Sequence, residues 1–476
     1  MINFSATYTD QYQLAMAEVY FKNGHKEHTA VFDYYFRKVP FSGAYAIFAG
    51  LEDLLRILEN LRFSEDDIRY LQGQGFDSDF LDYLKDFRFN GRIFSALEGD
   101  LVFPNRPILQ VEANIIEAQI IETLLLNLLN FQTLVATKAS RMRLVAGERK
   151  LLEFGMRRAQ ATGSYHASRA AIIGGFNGTS NVMAAKNFDI PVSGTMAHSF
   201  IQSFDDELEA FRAFAKGRPK GCVLLVDTYN TLESGLPHAI KVGKEMEARG
   251  EKLAGIRLDS GDLAYLARES RKMLDNAGLS YVKIAASNQL DEYVIKSLLE
   301  QQAPIDIFGV GTSLVTGSPD AAIDGVYKLS MSNGKPRIKI SENLAKVTIP
   351  HKKQVFRIKN SKGELIGADA IALREETRLE RMYDPVGPLK SLPLTHHDFE
   401  PLLHPVMENG KTTIEFRSVW EIAEYSAKRL SALLTEYKRF DNPHIYKIGI
   451  SRKLKKERAD LLSKYKEMEN EDISNY

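Results

Sequence analysis

Residues 253–263 read LAGIRLDSGDL, a short, mostly apolar run that carries one arginine and stops in an Asp-Ser-Gly-Asp cluster. A buried parallel strand reads as a continuous aliphatic run, and in a barrel of such strands the reactive groups sit on the loops leaving the C-terminal ends. The same pattern recurs in PVSGTMAHSF (191–200), VLLVDTYNTLESG (223–235), VKIAASNQL (282–290) and IDIFGVGTSLVTG (305–317). Their polar ends hold Thr195 and His198, Asp227, Arg257 with Asp259, Ser287 with Asn288, and Gly311 with Thr312. Between them, SGLPHAIKVGKEMEARG (234–250) and LAYLARESRKMLDNAG (263–278) read as helices. This is the strand–helix alternation of a parallel sheet, at a spacing near the roughly 30 residues of a βαβ unit. Gly, Ser and Asp also cap helices, which would account for any single cluster. Five in succession carrying His, Arg and Asp point instead to an enzyme.

Whole-chain composition narrows the class. The chain has 476 residues, 44% of them apolar, enough for two or three domains with ample core. Lysine plus arginine equals aspartate plus glutamate, 62 against 62, so no nucleic-acid or membrane partner is expected. Cys222 is the only cysteine, which leaves no disulfide framework and no thiolate metal cage. The N-terminal MINFSATYTDQYQLAM lacks a basic region followed by an apolar core, and no apolar run reaches the ~18 residues of a membrane span. A cytoplasmic protein is expected.

Outside the alternating region the pattern changes. Residues 1–135 mix helix-like LEDLLRILENL and IIEAQIIETLLLNLLN with strand-like AVFDYYFRKV and FSALEGDLVFP. After about residue 330, VYKLSMSNGKPRIKISE and KQVFRIKNSKGELIGADAIAL return to strands separated by NG and KG turns. AEYSAKRLSALLTEYKR (423–439) reads as an amphipathic helix, and the last stretch is charged, with a tail expected to fray. The expected fold is α/β: an irregular or incomplete parallel α/β barrel of the TIM type over residues 136–335. An α+β companion domain would be built from residues 1–135 together with 336–476 and its helical tail.

The clusters permit a chemical reading. Arg257 and Asp259 lie two apart on a strand and face the same way, so both reach one small polar ligand. The arginine would grip a carboxylate in two-pronged fashion, leaving the aspartate for a hydroxyl or a hydrated Mg²⁺; a mutual ion pair is the alternative. Gly309, Gly311 and Thr312 in FGVGTS sit where bare backbone N–H groups cradle a phosphate. EFGMRRAQ (153–160) adds the ring of Phe154 and the guanidiniums of Arg157 and Arg158, suiting an aromatic substrate beside a polyphosphate. His198 alone would more often be a structural histidine. Asp227 at the end of the next strand would hold its imidazole in one tautomer and sharpen the far nitrogen as base, nucleophile or metal ligand. No HExxH or H-x-H spacing accompanies it, so no transition-metal site is expected and no direct protein ligand to a metal is assigned.

Over essentially its full length the chain resembles the nicotinate phosphoribosyltransferases. The resemblance is carried by TDQYQLAMAEVYF, LLLNLLNFQTLVATKASR, EFGMRRAQ, GGFNGTSNV, GTMAHSFIQSF, VDTYNTLESG, RLDSGDL, FGVGTSLVTG, DGVYKL and KISENLAKVTIPHKKQVFR. It implies transfer of phosphoribosyl from phosphoribosyl pyrophosphate to nicotinate, coupled to ATP hydrolysis and aided by Mg²⁺. The product, nicotinate mononucleotide, is a precursor of NAD. By the same resemblance His198 is the transiently phosphorylated histidine and Asp227 supports it. Phe154 and Tyr12 sandwich the pyridine, the tyrosine coming from the second subunit of a homodimer. Arg257 and Thr195 contact nicotinate, Ser287 also belongs to the substrate site, and Asp259, Arg157, Gly311 and Thr312 lie near ribose, pyrophosphate and phosphate.

Ser180 in GGFNGTSNV bears on which pyridine is taken. Nicotinamide phosphoribosyltransferases carry an aspartate there, which accepts from the amide NH₂ and would repel a carboxylate; a serine hydroxyl can donate to one. Ser180 therefore favours the acid, unless it only caps the following helix. The competing readings are a nicotinamide or, less well matched in length, a quinolinate phosphoribosyltransferase. A third is a non-catalytic metabolite sensor, against which the intact His198, Asp227 and Arg257 set argues.

Overall fold

The structure is a computed structural model that describes residues 4–341, 346–387 and 390–474, with side chains described as far as residue 467. Residues 342–345, inside the quoted KISENLAKVTIPHKKQVFR, lie outside the described residues, as do the last two of the charged tail. The chain forms two compact units, one of residues Val135–Ala321 and one of Met1–Leu134 with Ala322–Tyr476.

The Val135–Ala321 unit is built on a six-stranded sheet. Its order is Gly178–Thr179, Lys150–Glu153, Ile307–Val310, Lys283–Ser287, Gly255–Leu258, Val223–Leu225, and every pairing is parallel. Lys150–Glu153 and Gly178–Thr179 are neighbours in chain and sheet, the chain then crosses to the far edge at Val223–Leu225, and the next three strands step back one at a time to Ile307–Val310; among the described residues no ladder joins the two outer strands to each other. The aliphatic runs form strands with one face fully covered: Leu224, Ile256, Leu258, Ile284, Phe308 and Val310 share that face and are all 0% exposed, while Arg257, Ala285 and Ile307 on the other are half-buried. Each large side chain so buried contributes about 1.5–3 kcal/mol. The linking segments form the helices Leu236–Ala248 and Leu263–Asn276, which bury Ala239, Val242 and Met246, and Ala264, Ala267 and Leu274, at helical spacing. Asp262 and Asp291 cap the helices that follow them, accepting from the backbone N–H groups of Tyr265 and of Tyr293 and Val294.

Four of the five quoted runs are strands; PVSGTMAHSF is not. Pro191 has no N–H to give, Ser193 and Gly194 follow at once, and the segment makes a single parallel bridge, Thr179 to Val192, before the short helix His198–Gln202. The sheet instead gains Lys150–Glu153, between Gly178–Thr179 and Ile307–Val310.

In the unit of the terminal segments, a seven-stranded antiparallel sheet takes Thr29–Phe36, Leu109–Asn114 and Arg92–Ser95 from the first segment. Gly325–Ser332 and His404–Glu408 flank them from the second. Gly325–Ser332 thus lies with this unit, ahead of the boundary expected at 335. A second, mixed sheet centres on Leu365–Leu373, Lys353–Lys359 and Lys447–Ser451. The expected turns are present: Asn333 and Gly334 have φ of 49° and 72°, and Gly363 has φ of 78°. The C-terminal amphipathic helix runs earlier than expected, Val419–Ala432, because Ser418 and Glu421 form a capping box that starts it. The charged segment after it forms the helix Arg452–Ser474.

Candidate active site

Arg257 is the third residue of its four-residue strand and its side chain is the hub of the site. Its Nε donates to Ser287 Oγ at 2.8 Å, one terminal nitrogen to Thr195 Oγ1 at 3.1 Å, and the other to Asp259 Oδ1 at 2.7 Å. Ser287 also donates to that Asp259 oxygen. Arg257 and Asp259 therefore bond each other, the alternative left open above, though at 19% and 26% exposure the pair is partly buried rather than on an open surface. The Arg257 guanidinium carbon stands 5.9 Å from the centre of the Phe154 ring.

His198 opens its short helix with Nδ1 3.0 Å from Thr228 Oγ1 and Nε2 3.9 Å from Asp259 Oδ2. Asp227 is not its hydrogen-bond partner. The Oδ2 of Asp227 accepts from the Asp259 N–H at 2.9 Å and from Ser260 Oγ at 2.6 Å, while its Oδ1 is buried with no hydrogen-bond partner. Successive side chains past a strand end point to different sides, so it is Thr228, one residue on, that meets the imidazole. Asp227 instead ties its own loop to the Asp259 loop. Sequence reading missed Thr228, although it stands beside Asp227; Ser260 it named only as the hydroxyl of the Asp259 cluster, without its bond to Asp227.

Phe154 follows directly on Lys150–Glu153, with its N–H donated to Val310 O at 2.7 Å. Gly309 leaves room for the ring: a Cβ there would stand 2.5 Å from Phe154 Cδ2. Arg157 and Arg158 are exposed in the single turn Met156–Arg158. Gly311 precedes the four-residue helix Thr312–Val315, and Thr312 is exposed. Ser180 donates its N–H to Glu153 O at 2.9 Å. The cap of the next helix is Asn181, which accepts from Ala184 N, so Ser180 is not the capping residue. Beyond Ser287, Asn288 and Gln289 adopt φ of 79° and 50°, a left-handed pair that turns the loop sharply.

Tyr12 belongs to the other unit, on the helix Gln11–Lys22, and is 53% exposed. Partial burial, then the nearby Glu122 and Asp10 carboxylates, push its phenol up from the ordinary value. Among the described residues no group of three or more His, Cys, Asp or Glu is placed to hold a metal ion.

Three family models match in succession along the chain. They describe the nicotinate phosphoribosyltransferase N-terminal domain over residues 7–130, the family itself over 149–365, and its C-terminal domain over 352–458. A nicotinate phosphoribosyltransferase of Bacillus subtilis is 45% identical over 93% of this chain and 92% of its own. One of Mycobacterium tuberculosis is 40% identical over 96% and 94%. The crystal structure of human nicotinic acid phosphoribosyltransferase superposes with a TM-score of 0.85 at 31% identity, covering 95% of this chain and 99% of that one. Likeness of this extent, in sequence and in structure, settles descent: the chain belongs to the nicotinate phosphoribosyltransferase family.

Proposed function

We propose that the protein joins nicotinate to phosphoribosyl pyrophosphate, forming nicotinate mononucleotide for NAD biosynthesis, with ATP hydrolysed to ADP and phosphate. The observation that carries the reading is the Arg257 hub. In a family member, it gathers Thr195, Ser287 and Asp259 at the C-terminal end of a parallel sheet, with the Phe154 ring 5.9 Å from its guanidinium and His198 3.9 Å from Asp259. The pyridine stacks on Phe154, and its carboxylate is met by Arg257, Thr195 and the Ser180 hydroxyl. Its ring nitrogen gives its lone pair to ribose C1 as the C1–O bond breaks and the electron pair leaves on pyrophosphate. Arg157 and Arg158 offset the charge of the leaving group, and Asp259 that of the oxocarbenium-like carbon. Gly311 and Thr312 border the phosphate.

His198 couples ATP to this transfer. An Nδ1–H donated to Thr228 leaves the lone pair on Nε2, the nitrogen facing Asp259. Nε2 attacks the γ-phosphorus, the bond to the ADP oxygen breaks with its electron pair, and water later hydrolyses the P–N bond. The free Asp227 Oδ1 and Asp259 Oδ2 are oxygen donors of the kind hydrated Mg²⁺ takes, and the ion would neutralise pyrophosphate charge there.

The sheet is read as an incomplete α/β barrel and the terminal unit as its companion domain. Tyr12, largely exposed, completes the pyridine sandwich of a second copy in a homodimer. A cytoplasmic location suits the lone Cys222, whose thiol burial pushes up to about 11, and no described helix is long and apolar enough to cross a membrane. The test is steady-state mononucleotide formation from nicotinate and from nicotinamide with phosphoribosyl pyrophosphate, Mg²⁺ and ATP. Preference for nicotinate is expected; preference for nicotinamide would overturn the role given to Ser180, and turnover of neither would favour a sensor.

A further inference from the structure

Glu153 ends its strand fully buried, at 0% exposure, and its side-chain hydrogen bonds go to Gly155, Ser168 and Thr179. Its Oε1 accepts from the Gly155 N–H, and its Oε2 accepts from Thr179 Oγ1 and, at 2.9 Å, from Ser168 Oγ of the helix Ala161–Ile173. Thr179 Oγ1 in turn accepts the Asn181 N–H at 2.9 Å, and the Glu153 carbonyl accepts the Ser180 N–H at 2.9 Å. One side chain thus holds the peptide after Phe154 and the residues on both sides of Ser180. The Gly155 N–H and the Thr179 hydroxyl donate to it, one at each oxygen, and the Ser168 hydroxyl divides its single proton between Oε2 and Ser164 O at 3.0 Å, so the site calls for an acceptor at both oxygens, set one side-chain length from the backbone.

We infer that Glu153 is a positioning residue for pyridine recognition, fixing the separation between the ring of Phe154 and the hydroxyl of Ser180. The inference rests on the pyridine-binding roles proposed for those two residues. Glu153→Gln puts an NH₂ group against a donor at one oxygen, and Thr179→Val deletes both the bond donated to Glu153 and the one accepted from the Asn181 N–H while keeping side-chain shape; Thr179→Ser keeps both.

Two readouts test it on the full-length protein. Hydrogen–deuterium exchange needs no substrate: segments 153–160 and 178–184 should both exchange faster in Thr179→Val than in wild type, and not in Thr179→Ser. Faster exchange in one segment only, or in neither, overturns the clamp. In steady-state assays Thr179→Val and Glu153→Gln should raise KM for nicotinate about tenfold, within the ~100-fold that a misplacement of about 1 Å can cause. They should also lower the kcat/KM ratio of nicotinate to nicotinamide, while Thr179→Ser stays close to wild type. A fall in kcat alone, tracking loss of folded protein with KM and the ratio unchanged, overturns the positioning role. Wild-type protein that does not turn over nicotinate counts against the proposed function, and the exchange result then still decides whether the clamp exists.

Discussion

A Cβ on Gly309 would stand 2.5 Å from Phe154 Cδ2 and 3.4 Å from Ser287 Cβ, so glycine alone leaves the ring in place. Gly309→Ala should raise KM for nicotinate about tenfold by displacing the stacking surface, with a smaller change in kcat, as read in steady-state assays. Arg257→Lys replaces a fork that reaches Ser287, Thr195 and Asp259 at once with a single ammonium, and should lower kcat/KM for nicotinate about 100-fold. A loss below about threefold would remove Arg257 from substrate recognition. Arg257, Asp259 and Ser287 were legible because each stands at or next to the polar end of an apolar run, and Thr195 because its polar cluster resembles theirs. Glu153 was hidden. It opens EFGMRRAQ with no signal of its own, and its burial depends on Ser168 and Thr179, which only the folded chain brings to it.

At the scale of elements, the turn Thr231–Gly235 sets the loop that carries Asp227. A Cβ on Gly235 would lie 1.9 Å from the Val226 carbonyl oxygen, the last residue before Asp227. Gly235→Ala should destabilise the protein by about 1–3 kcal/mol, measured by urea unfolding, and lower activity further by shifting Asp227 from the Asp259 loop. Strands at 223–225, 255–258, 283–287 and 307–310 were readable because continuous aliphatic runs have no other comfortable place than a largely buried sheet. PVSGTMAHSF shared the polar ending without the run, and a motif read from its end alone placed a strand where only Val192 makes a bridge.

At the scale of the molecule, the terminal segments are locked by charges inside their unit. Arg357 donates to Asp100 at 2.9 Å and bonds Asp369 at 3.2 Å, Arg106 reaches Asp369 at 2.8 Å, and Arg429 reaches Asp100 at 2.8 Å. Asp100→Asn would leave Arg357 and Arg429 undercompensated in the interior and should destabilise this unit by about 3–5 kcal/mol in urea unfolding. Burial raises the Asp100 carboxyl, but the guanidiniums of Arg357, Arg429 and Arg106 outweigh it and hold the group below its ordinary value. A carboxyl lowered in the fold contributes stability that is present above its unfolded value of about 3.9 and is lost as pH falls through the folded value. The thermal midpoint of the wild type should therefore fall on acidification below about pH 4, and that of Asp100→Asn should fall less. Nothing in composition reveals this network: balanced charge totals say how many ions exist, not which are buried together.

The decisive measurement is the end-point yield of nicotinate mononucleotide from nicotinate and phosphoribosyl pyrophosphate, with and without ATP, for wild type and for His198→Ala. ATP should raise the wild-type yield several-fold and leave the His198→Ala yield unchanged, as expected if the histidine beside Arg257 and Asp259 carries the phosphoryl group. Equal stimulation of both by ATP, or no mononucleotide from nicotinate in either, would contradict it.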